Sequence, residues 1–257
     1  MLKMIKYEYR RALTPLSIVF IIFGVLELYF LIATGLEKES HTAIAMGLLF
    51  FASGAMYLFV LINGIVSYKN DLSNKDGYLL FMAPVSTYGI IGAKLISILL
   101  TGLTLVALIG VFGMIDYSFA ASVYHFEGLI DLIKEMFEAI GSNLAESLFG
   151  LLAFIVTFLI QFFTVTTVAY LALSLSATVL QNKKGKTFMS FALFFGMWVA
   201  IEGIAASIMK AMGLENMGGS TFGASMLSMS PIVALYFVVA VICFFLTGLL
   251  LDKKISL

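Results

Sequence analysis

The chain has 257 residues, 61% of them hydrophobic and 12% charged, with a formal net charge of zero and a mean hydropathy of +1.07. Soluble domains run at about half apolar and about a quarter charged, so this composition excludes an ordinary water-soluble enzyme or nucleic-acid binder and points to an integral membrane protein. One cysteine, Cys243, and two histidines, His41 and His125, exclude a disulfide framework and argue against a zinc centre.

Residues 1–13 set Leu2, Ile5, Tyr9 and Ala12 or Leu13 three and four apart, with Lys3, Lys6 and Arg10 between them. That spacing predicts an interfacial helix on an anionic inner leaflet, or else a plain positively charged anchor. A window of about 20 residues then finds apolar stretches at 16–35, 43–67, 88–115, 147–177, 187–209 and 230–251. The first is read as a retained span and not a cleaved signal, because its apolar core is long and more spans follow. Thr14-Pro15 and Ser230-Pro231 each put a hydroxyl cap before a proline suited to a first helical position, and Ser86 and Thr87 are candidate caps for the third span. The alternation of a membrane barrel is absent. The fold class expected is therefore all-α integral membrane, six transmembrane helices in a single domain over 1–257.

Two connections carry structure of their own. In residues 70–84, Asp71, Ser73 or Asn74 can cap a short cytoplasmic helix, Lys75 and Asp76 keep it wet, and Gly77 permits a bend. Tyr78, Leu79, Leu80 and Phe81 form an apolar knob, and Ala83-Pro84 ends the element. A docking surface and an elbow resting on lipid both fit this pattern. Residues 122–144 place Phe126, Ile130, Ile133, Phe137, Ile140 and Leu144 on one helical face and Glu127, Asp131, Lys134, Glu135 and Glu138 off it, predicting an external amphipathic helix.

Short loops rich in Lys and Arg stay cytoplasmic. Lys3, Lys6, Arg10, Arg11, Lys69, Lys75, Lys94, Lys183, Lys184, Lys186, Lys253 and Lys254 fall on one side of the six stretches, twelve of the fifteen cations. Both termini are expected inside. The opposite side collects the acids Glu37, Glu39, Asp116, Glu127, Asp131, Glu135, Glu138, Glu146 and Glu215.

No catalytic or metal motif emerges. Gly185-Lys186-Thr187 resembles the end of a phosphate-binding loop, but the pattern needs glycine at position 180, which is Leu180. Within the spans, Glu27 and Glu202 stand out, since an acid at bilayer depth is costly and usually faces a bundle interior or a wet cavity. A gating pair, a proton-sensitive site, contact with a cationic substrate and simple reach to the outer interface all remain open for them. The fourth span carries Thr157, Gln161, Thr164, Thr167, Tyr170, Ser174 and Thr178 three and four apart. This polar stripe suits a translocation path or the gluing of helices.

The strip "DLSNKDGYLLFMAPVSTYGIIGAKLI", following two spans and a basic "IKYEYRR" tail, resembles the membrane subunits of ABC-2 type transporters, with D-L, G-Y-L-L-F, P-x-S and a G-x-K opening the third helix. Six spans, inward termini and the closing "LDKKISL" fit that pattern. The resemblance implies a bacterial cytoplasmic-membrane exporter permease that pairs with an identical or homologous second permease subunit and with two ABC ATP-binding subunits. It implies no enzyme activity in this chain, with ATP and Mg bound by the partner. It further implies a coupling helix over Asp71 to Phe81, where Tyr78, Leu79 and Phe81 supply the knob, Asp71, Lys75 and Asp76 the polar rim and Gly77 the bend. Glu27, Glu202, Gln161, Thr157 and Thr164 are the candidates for pathway or gating. The acidic outer side leans toward an amphipathic or cationic peptide as cargo; a proton- or ion-coupled secondary transporter is the alternative.

Overall fold

A computed structural model describes residues 2–73, 86–125, 144–179, 185–213 and 229–255, and every regular element among them is an α-helix. The helices are α1 (Leu2–Gly35), α2 (Glu39–Ser73), α3 (Thr87–Tyr124), α4 (Leu144–Val179), α5 (Lys186–Ala211) and α6 (Ser230–Ile255). All six are long and apolar enough to cross a membrane, which makes this a multi-pass membrane protein.

The helices overrun the apolar stretches that announce them. α1 begins at Leu2 and runs through Pro15, so residues 1–13 are not set off as a separate element at Thr14-Pro15. Pro15 lacks the N–H that would reach back to the Arg11 carbonyl, and next to it the Ser17 hydroxyl donates to the Thr14 carbonyl (2.6 Å). α2 continues to Ser73, so Asp71 and Ser73 lie in its last turn; the short helix expected after them lies outside the described residues. α3 continues to Tyr124, which brings Asp116 inside a helix and removes it from the outer connection where hydropathy alone places it. Ser86 does cap α3, accepting the Gly89 N–H at 3.2 Å. Ser230 occupies the first helical position of α6 itself, with Val233 N–H bonded to the Met229 carbonyl (3.1 Å).

The helices form two compact units. Unit 1 comprises Met1–Gly64 and Ala93–Glu135, that is α1, most of α2 and most of α3. α1 turns into α2 through a Schellman motif: Lys38 N–H bonds the Ala33 carbonyl (3.2 Å) and Glu37 N–H bonds that of Thr34 (3.0 Å), with Glu37 at φ 53°. The tight turn makes α1 and α2 antiparallel neighbours. α1 and α3 run parallel, because their contacts advance together from Glu8–Lys94 through Phe23–Phe112 to Phe30–Ala120. Gly64 of α2 lets Ile98 of α3 pass where any Cβ would collide. Phe30, Ala45 and Ala120 close the core near the α1–α2 turn.

Unit 2 comprises Ile65–Gly92 and Met136–Leu257. Its central helix is α4, which packs against both α5 and α6 and is buried almost continuously from Phe162 to Ser176. Val168, Leu171, Ile201, Tyr236 and Cys243 form its apolar core, placing Cys243 as the packed apolar residue that its position suggests.

Candidate functional site

In unit 2 the connection between α2 and α3 is held at both ends. On the α2 side, the Tyr68 ring stacks on Tyr170 of α4 with centroids 4.0 Å apart, and its hydroxyl shares a 2.6 Å hydrogen bond with Ser174. Tyr68, Tyr170 and Ser174 are all fully or almost fully buried. On the α3 side, the Thr87 hydroxyl donates to Asp252 of α6 at 2.5 Å, while the Tyr88 ring lies against Gly248 so closely that no Cβ would fit. Phe244 and Phe245 flank the same ring at 6.0 Å. Asp71, in the last turn of α2, is buried at 8% exposed and acts electrostatically on the Tyr68 hydroxyl. Lys75, Asp76, Gly77, Tyr78, Leu79 and Phe81 lie outside the described residues.

In unit 1 a buried ion pair joins the two halves of the sequence pattern around the spans. Lys94, the lysine of the G-x-K opening α3, donates to Glu8 of the basic tail at 2.8 Å, with the two side chains 3% and 7% exposed. Lys94 is therefore engaged inside the protein and does not act as a loop cation; Glu8 is the partner that sequence reasoning left unassigned.

The acids of the spans separate. Glu27 sits on the packed stripe of α1 with Leu16, Phe23, Phe30 and Thr34, while Ile18, Ile21, Ile22, Val25, Leu28 and Ile32 face outward. It is 6% exposed and meets the carboxyl of Asp116 from α3. Among the described residues, no donor other than a proton on one of these two carboxyls serves either Glu27 oxygen. Each residue stands eight positions before the end of its helix, roughly 12 Å along the axis. Asp116 also lines a cavity of about 300 Å³ with Phe30, Thr42, Met46, Tyr117 and Tyr124. The Thr42 and Tyr124 hydroxyls bond each other there at 2.9 Å. Glu202, by contrast, belongs to unit 2, where it is exposed on α5 and accepts the Tyr236 hydroxyl at 2.9 Å. The two acids singled out from the sequence thus have separate partners.

The polar stripe of α4 serves mainly inside unit 2. Thr164 is completely buried, its hydroxyl directed to the carbonyl of Ile160 in its own helix (2.8 Å) and that of Tyr236 in α6 (3.0 Å). Thr167 turns back to the Phe163 carbonyl and Ser174 meets Tyr68. The Thr164 and Ser174 hydroxyls thus join α4 to α6 and to α2. Thr157 is half-buried and Gln161 is exposed, so the stripe does not form one continuous polar surface. Gly185 caps α5 at φ 120°, and the helix preceding it is α4 and not a strand, in keeping with rejection of a phosphate-binding loop at Lys186 and Thr187. Among the described residues no group of three His, Cys, Asp or Glu side chains could hold a metal ion.

No protein-family model, curated protein or solved structure matches this chain. The class defined by its own features is a multi-pass helical membrane protein with two compact units, packed helix ends flanking the α2–α3 connection and a Glu27–Asp116 acid pair.

Proposed function

We propose that this chain is the membrane-spanning permease subunit of an ATP-driven exporter, in which a separate ATP-binding subunit hydrolyses ATP and alternating access takes place here. The observation that carries this reading is the mounting of residues 74–85. Tyr68 fixes one end of the connection to α4, and Thr87 with Tyr88 fixes the other to α6. A partner pressing on Tyr78, Leu79 and Phe81 would act on a segment whose two flanking helix ends are packed on α4 and α6. Lys75 and Asp76 would rim the contact and Gly77 would allow its bend.

Coupling requires the partner to bind the strip with different affinity in its open and closed states, because equal affinity shifts no equilibrium. ATP and Mg would be held by that partner, two copies of which would serve two permease chains in a bacterial cytoplasmic membrane. Cytoplasmic termini follow from the distribution of lysine and arginine. The acidic outer side supports an amphipathic or cationic peptide as cargo.

A second reading, an ion- or proton-coupled secondary transporter, draws support from the Glu27–Asp116 pair. Cysteine-specific cross-linking separates the two. In a Cys243→Ser background, a Tyr78→Cys chain reacted with a thiol-to-amine cross-linker in membranes should capture the ATP-binding protein encoded beside it. Transport driven by a pH gradient, with no such adduct and no dependence on ATP, would favour the second reading.

A further inference from the structure

We infer that unit 1 contains a site for one organic monocation, formed by Glu27, Asp116 and the aromatic cavity beside them, and that the cation enters in exchange for a proton. The inference stands on unit 1 alone and does not depend on an ATPase partner.

The two carboxyls come first. Glu27 is 94% buried, and the charged group acting on it is Asp116; no lysine, arginine or histidine among the described residues serves either carboxyl. Two adjacent carboxylates in a low-dielectric setting repel strongly, whereas a single shared proton lets one donate to the other. The pair then carries one negative charge. Asp116 presents that charge to a cavity of about 300 Å³, the lower end of the size range of small-molecule sites. A bare metal ion would leave most of this space empty.

The remaining walls suit a soft cation. Phe30, Tyr117 and Tyr124 offer aromatic rings and Met46 a polarizable thioether. The only oxygens contributed besides Asp116 by these walls and Thr42 are hydroxyls and backbone carbonyls. An alkylammonium group carrying apolar substituents matches one carboxylate surrounded by rings better than a hydrated alkali ion does. When it binds, the shared proton leaves: one proton out and one monocation in keeps the charge of the site at minus one. The bound cation favours the ionised form of the carboxyl that held the proton, and so drives its release.

The titratable groups bordering the site are Glu27 and Tyr29 on α1, His41 on α2, and Asp116, Tyr117 and Tyr124 on α3; His41 Nδ1 is already bonded to the Tyr29 hydroxyl at 2.9 Å. Purified full-length protein in detergent, titrated calorimetrically with benzyltrimethylammonium, tests the inference. Running the titration in two buffers of different ionisation heat measures the protons released. Saturable binding with about one proton released per cation is expected. Glu27→Gln and Asp116→Asn should each weaken binding by about tenfold or more and abolish the release. Met46→Trp should block the cation by filling the cavity. Absence of saturable binding, binding without proton release, or a proton release produced equally by sodium chloride alone would overturn the assignment. So would well-folded Glu27→Gln and Asp116→Asn proteins that bind as wild type does. The wild-type proton count decides even where a variant fails to fold.

Discussion

Removing the cation of the Glu8–Lys94 pair should destabilise unit 1 far more than removing both charges. The magnitude follows from burial: an exposed pair is worth about 0–1 kcal/mol. At 3% and 7% exposure and 2.8 Å, this one falls instead among buried pairs, where losing one partner costs about 3–5 kcal/mol. Lys94→Met leaves the Glu8 carboxylate desolvated without its ammonium, whereas Glu8→Gln with Lys94→Met removes charge from both sides and should return the protein to within about 1–2 kcal/mol of wild type. The assay is thermal unfolding in detergent followed by helical circular dichroism, completed as a double-mutant cycle. The single tryptophan, Trp198, stacks near Tyr236 in unit 2 and reports that unit independently. Loss of helix before any change at Trp198 is expected for Lys94→Met. A single change costing no more than a surface pair would refute the reasoning, as would a double change that costs as much as the two singles added.

Four further outcomes follow from the geometry. Tyr68→Phe removes the hydrogen bond to Ser174 but keeps the stack, and should cost about 1 kcal/mol by the same unfolding measurement. Tyr68→Ala removes both and should cost about 3–5 kcal/mol. Gly64→Leu forces a side chain into Ile98 and should destabilise unit 1 by about 1–3 kcal/mol, with partial rescue by Ile98→Ala. Glu37→Gly relieves a non-glycine residue at φ 53° in the Schellman turn and should raise stability by about 0.5–1 kcal/mol.

The six spans were legible because each is a long apolar run, and bilayer thickness sets their length. Their ends were not, since hydropathy falls at Tyr68 to Ser73 and at Asp116 to Tyr124 while the backbone continues to satisfy itself as helix. Asp116 was lost for that reason: one acid beside a hydrophobic run reads as a boundary, and only the parallel alignment of α1 and α3 sets it against Glu27. Glu27 is legible as an acid inside a span, but Glu202, the other acid at such depth, belongs to the other unit. Glu8–Lys94 spans eighty-six positions and leaves no periodic signal. The α4 stripe was legible as a stripe, but whether hydroxyls line a path or join helices depends on what lies opposite, and opposite Thr164 lies the backbone of α6.

The central claim is that residues 74–85 dock an ATP-driven partner, and the most direct test is recovery of that partner with the purified chain. Wild-type protein in nanodiscs should co-purify with the ATP-binding protein encoded beside it and show ATP hydrolysis, while Tyr78→Ala with Phe81→Ala should lose both and keep its fold. A wild-type chain that retains no ATPase, or a double change that retains as much as wild type, would contradict the account.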